Sequence, residues 1–261
     1  MNTVLALAGV VIKEMYRRKD FYVLFVLTAL LTLLTGSTTF FNDDKIVGYL
    51  KEICLLLIWV ATLVIALTTS ARQIPAERES RTIFPLLAKP VTRLQVVLGK
   101  FFGCWLVAGF TIVLFYIFFG VVTGAREHHW PWLQYVQAAW LHWMMLGVVI
   151  GMSLLGSLVF SAPSVNVTIM FIIVGGILTL GEHLHKVALR MTEPSQSILS
   201  ALYFLIPHVE WAFKFRDLIL FDQPLIPWSA VGVATVYWGA YTMALLLAAW
   251  LVFRRKTLTL G

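Results

Sequence analysis

The feature that most constrains this chain is a set of long runs without a charged residue. Residues 21–41, 53–71, 101–125, 130–181 and 229–253 hold no Asp, Glu, Lys or Arg. A helix crosses the hydrocarbon core of a bilayer with about 20 apolar residues, so each run can span. The run 130–181 is too long for one span, at roughly 78 Å for 1.5 Å per residue. It must fold back on itself, and the stretch FSAPSVN at 160–166 supplies the break, because Pro163 among small polar residues makes a turn. Six spans result. Composition agrees: 60% of the 261 residues are apolar and 13% charged, against roughly a quarter charged in soluble domains. The expected fold is an all-α polytopic membrane protein in which residues 1–261 form a single membrane domain, with no soluble domain left over.

The net charge of +7 does not point to nucleic acid. The cations flank apolar spans, where anionic lipid is the natural counterpart, and no basic face on a soluble domain is visible. Lys13, Arg17, Arg18 and Lys19 precede the first span. Arg72, Arg78, Arg81, Lys89, Arg93 and Lys100 lie between the second and third. Arg254, Arg255 and Lys256 follow the last. With six spans these regions share one side, while the short opposite connections carry Lys45, Lys51 and Arg126. The positive-inside rule then places both termini in the cytoplasm. The expected location is the cytoplasmic (inner) membrane of a bacterium or archaeon. Cys54 and Cys104 lie inside apolar runs and read as small core or lipid-facing residues, not a disulfide framework. The N-terminal charges follow a mixed stretch instead of preceding an apolar one, so no cleavable signal peptide is expected.

Residues 1–19 are a different object. Val4, Leu7, Val11 and Met15 recur at helical spacing, with Lys13, Arg17 and Arg18 elsewhere on the wheel. This suits a helix lying in the cytoplasmic interface that feeds the first span, the alternative being a cytoplasmic extension of that span. At the far side, Trp130, Trp132, Tyr135, Trp140 and Trp143 read as an interfacial aromatic belt.

The connection 72–100 is the sizeable cytoplasmic loop. Thr82 can cap a short helix starting at Ile83. Pro85 falls at its third position, where the missing N–H has no intrahelical duty. Lys89-Pro90 ends it, because the residue before proline avoids the α region. Thr92 then opens the next span, with Gln95 three residues on completing a capping box. The result is a charged lead-in (Glu77, Arg78, Glu79, Arg81), an apolar knob (Ile83 to Leu87) and a basic exit (Lys89, Arg93). An apolar knob on the cytoplasmic side lies in the headgroup region or plugs into a partner.

The segment 77–103, ERESRTIFPLLAKPVTRLQVVLGKFFG, resembles the signature of permease subunits of the type-2 exporter family of ATP-binding-cassette transporters. Glu79, Ser80, Thr82, Leu86, Leu87, Lys89, Pro90, Thr92, Arg93, Gly99 and Lys100 match that pattern position by position. Arg81, where glycine is usual, and Pro85 depart from it. The resemblance implies that residues 72–92 form a coupling loop whose short helix docks on a separate ATPase, with Glu77, Glu79, Arg81, Ile83, Phe84, Leu86, Leu87, Lys89 and Arg93 at the contact. It implies two permease copies, or one copy and a paralogue, with two ATPase subunits that bind the ATP and Mg. No cofactor is then expected in this chain. An extracytoplasmic protein is a further candidate partner. The chain has no phosphate-binding loop of its own: Gly99-Lys100 is followed by Phe101 and lacks the upstream glycine. It is not expected to be an enzyme.

Residues 182–228 form the outer segment. PSQSILSALYFLIP (194–207) holds about ten apolar residues, which Ser195 or Ser197 can cap and Pro207 can close. They are too few to span and too oily for water, which favours a re-entrant helix. Glu210, Lys214 and Asp217 then fall on one helical stripe, with Trp211, Phe215 and Leu218 on its neighbour, as in an amphipathic helix with a salt-bridged face.

Two alternatives remain open. His128 and His129 with Glu127, and His183 and His185 with Glu182, could ligate zinc or copper; a permease of the resembled family serves maturation of a copper enzyme, nitrous-oxide reductase, and this chain is similar to it. Adjacent histidines rarely present both rings to one ion, however, and no Cys or HExxH completes either set. His142 reads instead as an interhelical hydrogen-bond partner. The spans carry no acid/base pair for an intramembrane enzyme or a proton-driven carrier. The second alternative is a subunit that transmits motion to an outer partner without passing a substrate. The translocated substrate itself is not legible.

Overall fold

In the computed structural model the described residues are 2–16, six helical positions between 22 and 33, 44–79, 91–209, 211–221 and 223–255. All regular structure among them is helical. In chain order the helices are α1 (Asn2–Tyr16), α2 (Asp44–Arg72), α3 (Pro75–Glu79), α4 (Arg93–Glu127), α5 (Trp132–Val159), α6 (Pro163–Ala188), α7 (Ser195–Leu205), α8 (Trp211–Leu220) and α9 (Trp228–Arg255). Five segments of described residues are long and apolar enough to cross a membrane: Lys51–Glu77, Arg93–Ala125, Trp132–Val159, Pro163–Gly181 and Trp228–Arg255. They correspond to five of the six expected spans. The remaining one, at 21–41, lies largely outside the described residues.

The helix ends follow local chemistry. The Thr92 hydroxyl accepts from the Gln95 backbone N–H at 3.3 Å, and the Gln95 amide oxygen accepts from the Thr92 N–H at 2.9 Å. This is the reciprocal capping box read from the sequence. α4 thus begins eight residues earlier than the charge-free run, because Arg93 and Lys100, which end that run, find partners within the bundle. It closes on His128, a left-handed C-cap at φ 54°, a position more often held by glycine or asparagine. α5 stops where Phe160 turns extended, its N–H donating to the Gly156 carbonyl at 2.8 Å. Pro163 starts α6 at the first helical position, which tolerates a missing N–H. The fold-back at 160–166 is therefore as expected. Asn166, however, lies inside the first turns of α6, fully buried, with its Nδ2 donating to the Ser153 carbonyl at 2.9 Å.

α5 is the axis of the bundle. It packs on α2, α4, α6, α8 and α9, and Leu141, Met145, Leu146, Val148, Val149 and Ile150 are all fully buried. Close packing, and not water exclusion, drives helix association in lipid, so small residues mark the tightest contacts. A Cβ on Gly109 would meet the Trp143 ring at 2.6 Å, and one on Gly151 would meet Leu245 Cβ of α9 at 3.3 Å. Cys54 and Cys104 are buried free thiols.

Three expectations need correction. Of the five aromatics assigned to a belt, Trp130, Trp132 and Trp140 are exposed, but Tyr135 is buried and shares a hydrogen bond with Thr123 at 3.0 Å. Trp143 faces inward too. It stacks on Trp105 with ring centroids 4.2 Å apart, and each indole N–H donates to the other residue's carbonyl. These two residues fall on the bundle face of α5, which hydropathy does not distinguish from its lipid face. α7 is present, but neither Ser195 nor Ser197 caps it. Pro194 is the N-cap without a side-chain bond, and the Ser197 hydroxyl donates to the Glu193 carboxylate at 2.6 Å. A carboxylate one turn upstream is the stronger acceptor and takes the hydroxyl away from the backbone. α8 buries Leu218 and half-buries Trp211 and Phe215 as expected. Of its polar stripe, Glu210 and the Lys214 side chain lie outside the described residues. Arg216, which the stripe did not include, reaches Glu52 of α2 at 3.4 Å.

Candidate functional site

A set of polar anchors gathers where α2 ends and α4 begins. α2 does not run into a free loop. Gln73 and Ile74 make a buried turn, the Gln73 amide donating back to the Thr69 carbonyl at 3.2 Å. α3 then places Glu77 beside α4. The Glu77 carboxylate forms a salt bridge with the Lys100 ammonium, whose side chain is 3% exposed. A buried lysine persists only when its charge is paired, so the pair fixes the entry to segment 80–90.

The exit is fixed to a different element. Arg93, the first residue of α4, donates through Nη1 to the carbonyls of Phe253 and of Arg254, the latter at 2.9 Å. Those carbonyls belong to the last turn of α9, whose acceptors no helical N–H reaches. A cation there also opposes the negative end of the helix dipole. The guanidinium sits 5.4 Å from the centroid of the buried Phe253 ring.

The third side of the site is α1. Val4, Leu7, Val11 and Met15 do form its inward stripe: Leu7, Val11 and Met15 are buried and Val4 is half-buried. The stripe packs on α4, where a Cβ on Gly99 would meet Leu7 Cβ at 2.6 Å and one on Gly103 would meet Val11 Cβ at 2.6 Å. Thr69 of α2 donates to the Met15 sulfur at 3.1 Å. The first turns of α4 therefore join α1, the α2–α3 corner and α9. The sequence carried a signal for the α1 contact that the motif reading missed: Gly99 and Gly103 form a small-xxx-small pair in an apolar helix.

Of the residues expected to contact an ATPase, Glu77 and Arg93 are thus placed in the bundle. Arg81, Ile83, Phe84, Leu86, Leu87 and Lys89 lie outside the described residues, as does the side chain of Glu79, the last residue of α3.

The other constellations are simpler. His142 is buried as an interhelical partner: its Nε2 lies 3.1 Å from the Thr62 hydroxyl of α2 and its Nδ1 3.4 Å from the Tyr116 hydroxyl of α4. His128, His129 and His183 are exposed, and the side chain of His185 lies outside the described residues. No group of three or more His, Cys, Asp or Glu able to hold a metal occurs among the described residues.

The profile of the ABC-2 family transporter proteins matches residues 5–258, nearly the whole chain, and the chain belongs to that family. It is a multi-pass membrane permease of the ABC transporter class, a class whose membrane subunits are generally non-enzymatic and normally work with ATP-binding-cassette ATPases. No curated protein matches the chain.

Proposed function

We propose that the chain is the permease subunit of an ATP-driven exporter and that residues 77–93 receive the motion of a separate ATPase. The observation that carries this reading is the bracketing of segment 80–90: Glu77 ties its entry to Lys100, and Arg93 ties its exit to the end of α9. A segment held at both ends by different helices can pass a push from a docked partner into the bundle. The apolar residues Ile83, Phe84, Leu86 and Leu87 supply the docking knob, and Glu79, Arg81 and Lys89 its charged rim. The chain contributes no ATP or Mg site; two ATPase subunits supply both. Two permease copies, or this chain with a paralogue, enclose the path, with both termini in the cytoplasm and the complex in the cytoplasmic membrane. The eleven residues of α7 are too few to span, so α7 and α8 act as re-entrant and amphipathic caps at the opposite end. Likeness to the permease of the nitrous-oxide-reductase maturation transporter is the finer form of the same proposal, and an extracytoplasmic client protein would belong to it.

The test is co-expression with an ATPase from the same genome, followed by purification and assay of ATP hydrolysis. Wild type is expected to retain the ATPase. The double variant Glu79→Lys with Leu86→Asp should lose it while keeping its helical content in detergent. Equal retention by both chains contradicts the proposal.

A further inference from the structure

We infer that Arg93 makes α9 a connecting rod, which delivers movement of the coupling segment to the junction of the cap helices α7 and α8. The inference rests on the coupling function proposed above and adds to it the route and the residues at each end.

At its C-terminal end α9 is held by the Arg93 guanidinium through the Phe253 and Arg254 carbonyls. Arg93 follows the segment 80–90 after only Val91 and the cap residue Thr92, so displacement of that segment acts on α9 directly. Midway along its length, at residues 237–241, α9 holds the junction of α7 and α8. The Tyr237 hydroxyl accepts from the His208 backbone N–H at 3.2 Å, the Trp238 indole donates to the His208 carbonyl at 3.4 Å, and the Tyr241 hydroxyl donates to the Phe204 carbonyl at 2.9 Å. The His208 ring completes the grip, stacked on Tyr237 and Trp211 at 5.8 and 5.0 Å. Residues 237 and 253 are about 24 Å apart along a helix rising 1.5 Å per residue.

Two further properties suit α9 to this work. Its interior holds no proline, so a displacement at one end is not absorbed by a kink. It is also seated along one seam: Val231, Ala234, Trp238, Thr242, Leu246, Ala249 and Phe253 are buried, while Val233, Val236, Met243, Leu247 and Leu251 on other faces are exposed. Where the seam meets α5 it runs over Gly147 and Gly151, which let Thr242 and Leu245 approach α5 closely. Arg93 is thus a positioning residue that acts through α9.

The test is a distance measurement between α7 and the far end of α5 in proteoliposomes of phosphatidylethanolamine and phosphatidylglycerol. Nitroxides are placed at Leu205→Cys on α7 and Leu133→Cys on α5, both exposed, in a Cys54→Ala/Cys104→Ala background. Without ATPase, Arg93→Ala is expected to shift or broaden the distance distribution. Arg93→Lys should restore it, because both bonds leave a single guanidinium nitrogen. Gln95→Ala, which removes half of the capping box but leaves α9 held, should match wild type. With the ATPase bound, ATP should move the distance in wild type and not in Arg93→Ala. If Arg93→Ala does not accumulate, Arg93→Gln replaces it. A distance insensitive to Arg93 in both arms overturns the inference, and so does an equal change in Gln95→Ala, which marks general loosening. If wild type binds no ATPase, the coupling proposal fails, and the ATPase-free arm still decides on the rod.

Discussion

The Lys100 ammonium, buried in α4, is paired with the Glu77 carboxylate 23 residues earlier in the chain, so the corner that ends α2 is tied to the helix that follows segment 80–90. Removing one member of a buried pair leaves the other charge uncompensated, which costs about 3–5 kcal/mol. Replacing both by apolar groups of similar size is often neutral. Glu77→Ala is therefore expected to lower the unfolding temperature in detergent markedly, and Glu77→Ala with Lys100→Met to recover most of the loss. Additive effects of the two substitutions would show that the pair contributes nothing as a pair.

The docking of α1 depends on two missing side chains. A Cβ at Gly99 or Gly103 meets another Cβ at 2.6 Å, and a Cβ cannot rotate out of the way. Gly99→Ala and Gly103→Ala should each cost about 1–3 kcal/mol by overpacking. They should also free α1 for proteolysis between α1 and the first span. Gly9→Ala, with nothing within 4 Å of its new methyl group, should be neutral or stabilising by up to about 1 kcal/mol through helix propensity.

Asp217 of α8 is the titrating group to follow. Burial pushes its carboxyl above the ordinary carboxylate range, Glu52 adds to the rise, and Arg216 opposes it. The fold therefore keeps the proton to a higher pH than the unfolded chain does. Stability from this group is present below the unfolded value and declines as pH rises through the folded one. Asp217→Asn should flatten that decline in an unfolding series across the acid range and raise stability slightly at neutral pH. An unchanged slope would contradict the assignment.

Replacing His128, His129, His183 and His185 together by Ala should leave the permease assembled, bound to its ATPase and stimulating hydrolysis as wild type does. His128 fills a C-cap position and is exposed, which needs no metal. Loss of function in a folded, complexed quadruple variant would instead support metal handling at those residues.

What was legible in the sequence was local or periodic. Thr92 and Gln95 are three residues apart, and their reciprocal bonds need no tertiary information. Pro163 marks its own break because it lacks an N–H. The charge-free runs report helix length directly. What was not legible depends on which side of a helix meets which neighbour. Tyr135 and Trp143 have the same hydropathy whether they face lipid or the bundle, where Tyr135 meets Thr123 and Trp143 the Trp105 ring. Ser197 sits correctly for a cap, yet the Glu193 carboxylate outcompetes the backbone N–H groups. Glu77 read as a charge offered to a partner, whereas Lys100, read as a topogenic cation and a motif position, holds it inside the bundle. Arg93 matched a motif position, but nothing short of the fold brings residue 253 to it.

Docking of segment 80–90 on an ATPase should bring Leu86 into contact with it. A photo-cross-linker attached at Leu86→Cys in a Cys54→Ala/Cys104→Ala background would be illuminated in membranes containing the co-expressed ATPase. The account predicts a cross-linked species of permease plus ATPase, absent when the label is moved to Leu133→Cys at the far end. Cross-links from Leu86→Cys to lipid or to the permease alone, with the ATPase present in the same membranes, would contradict it.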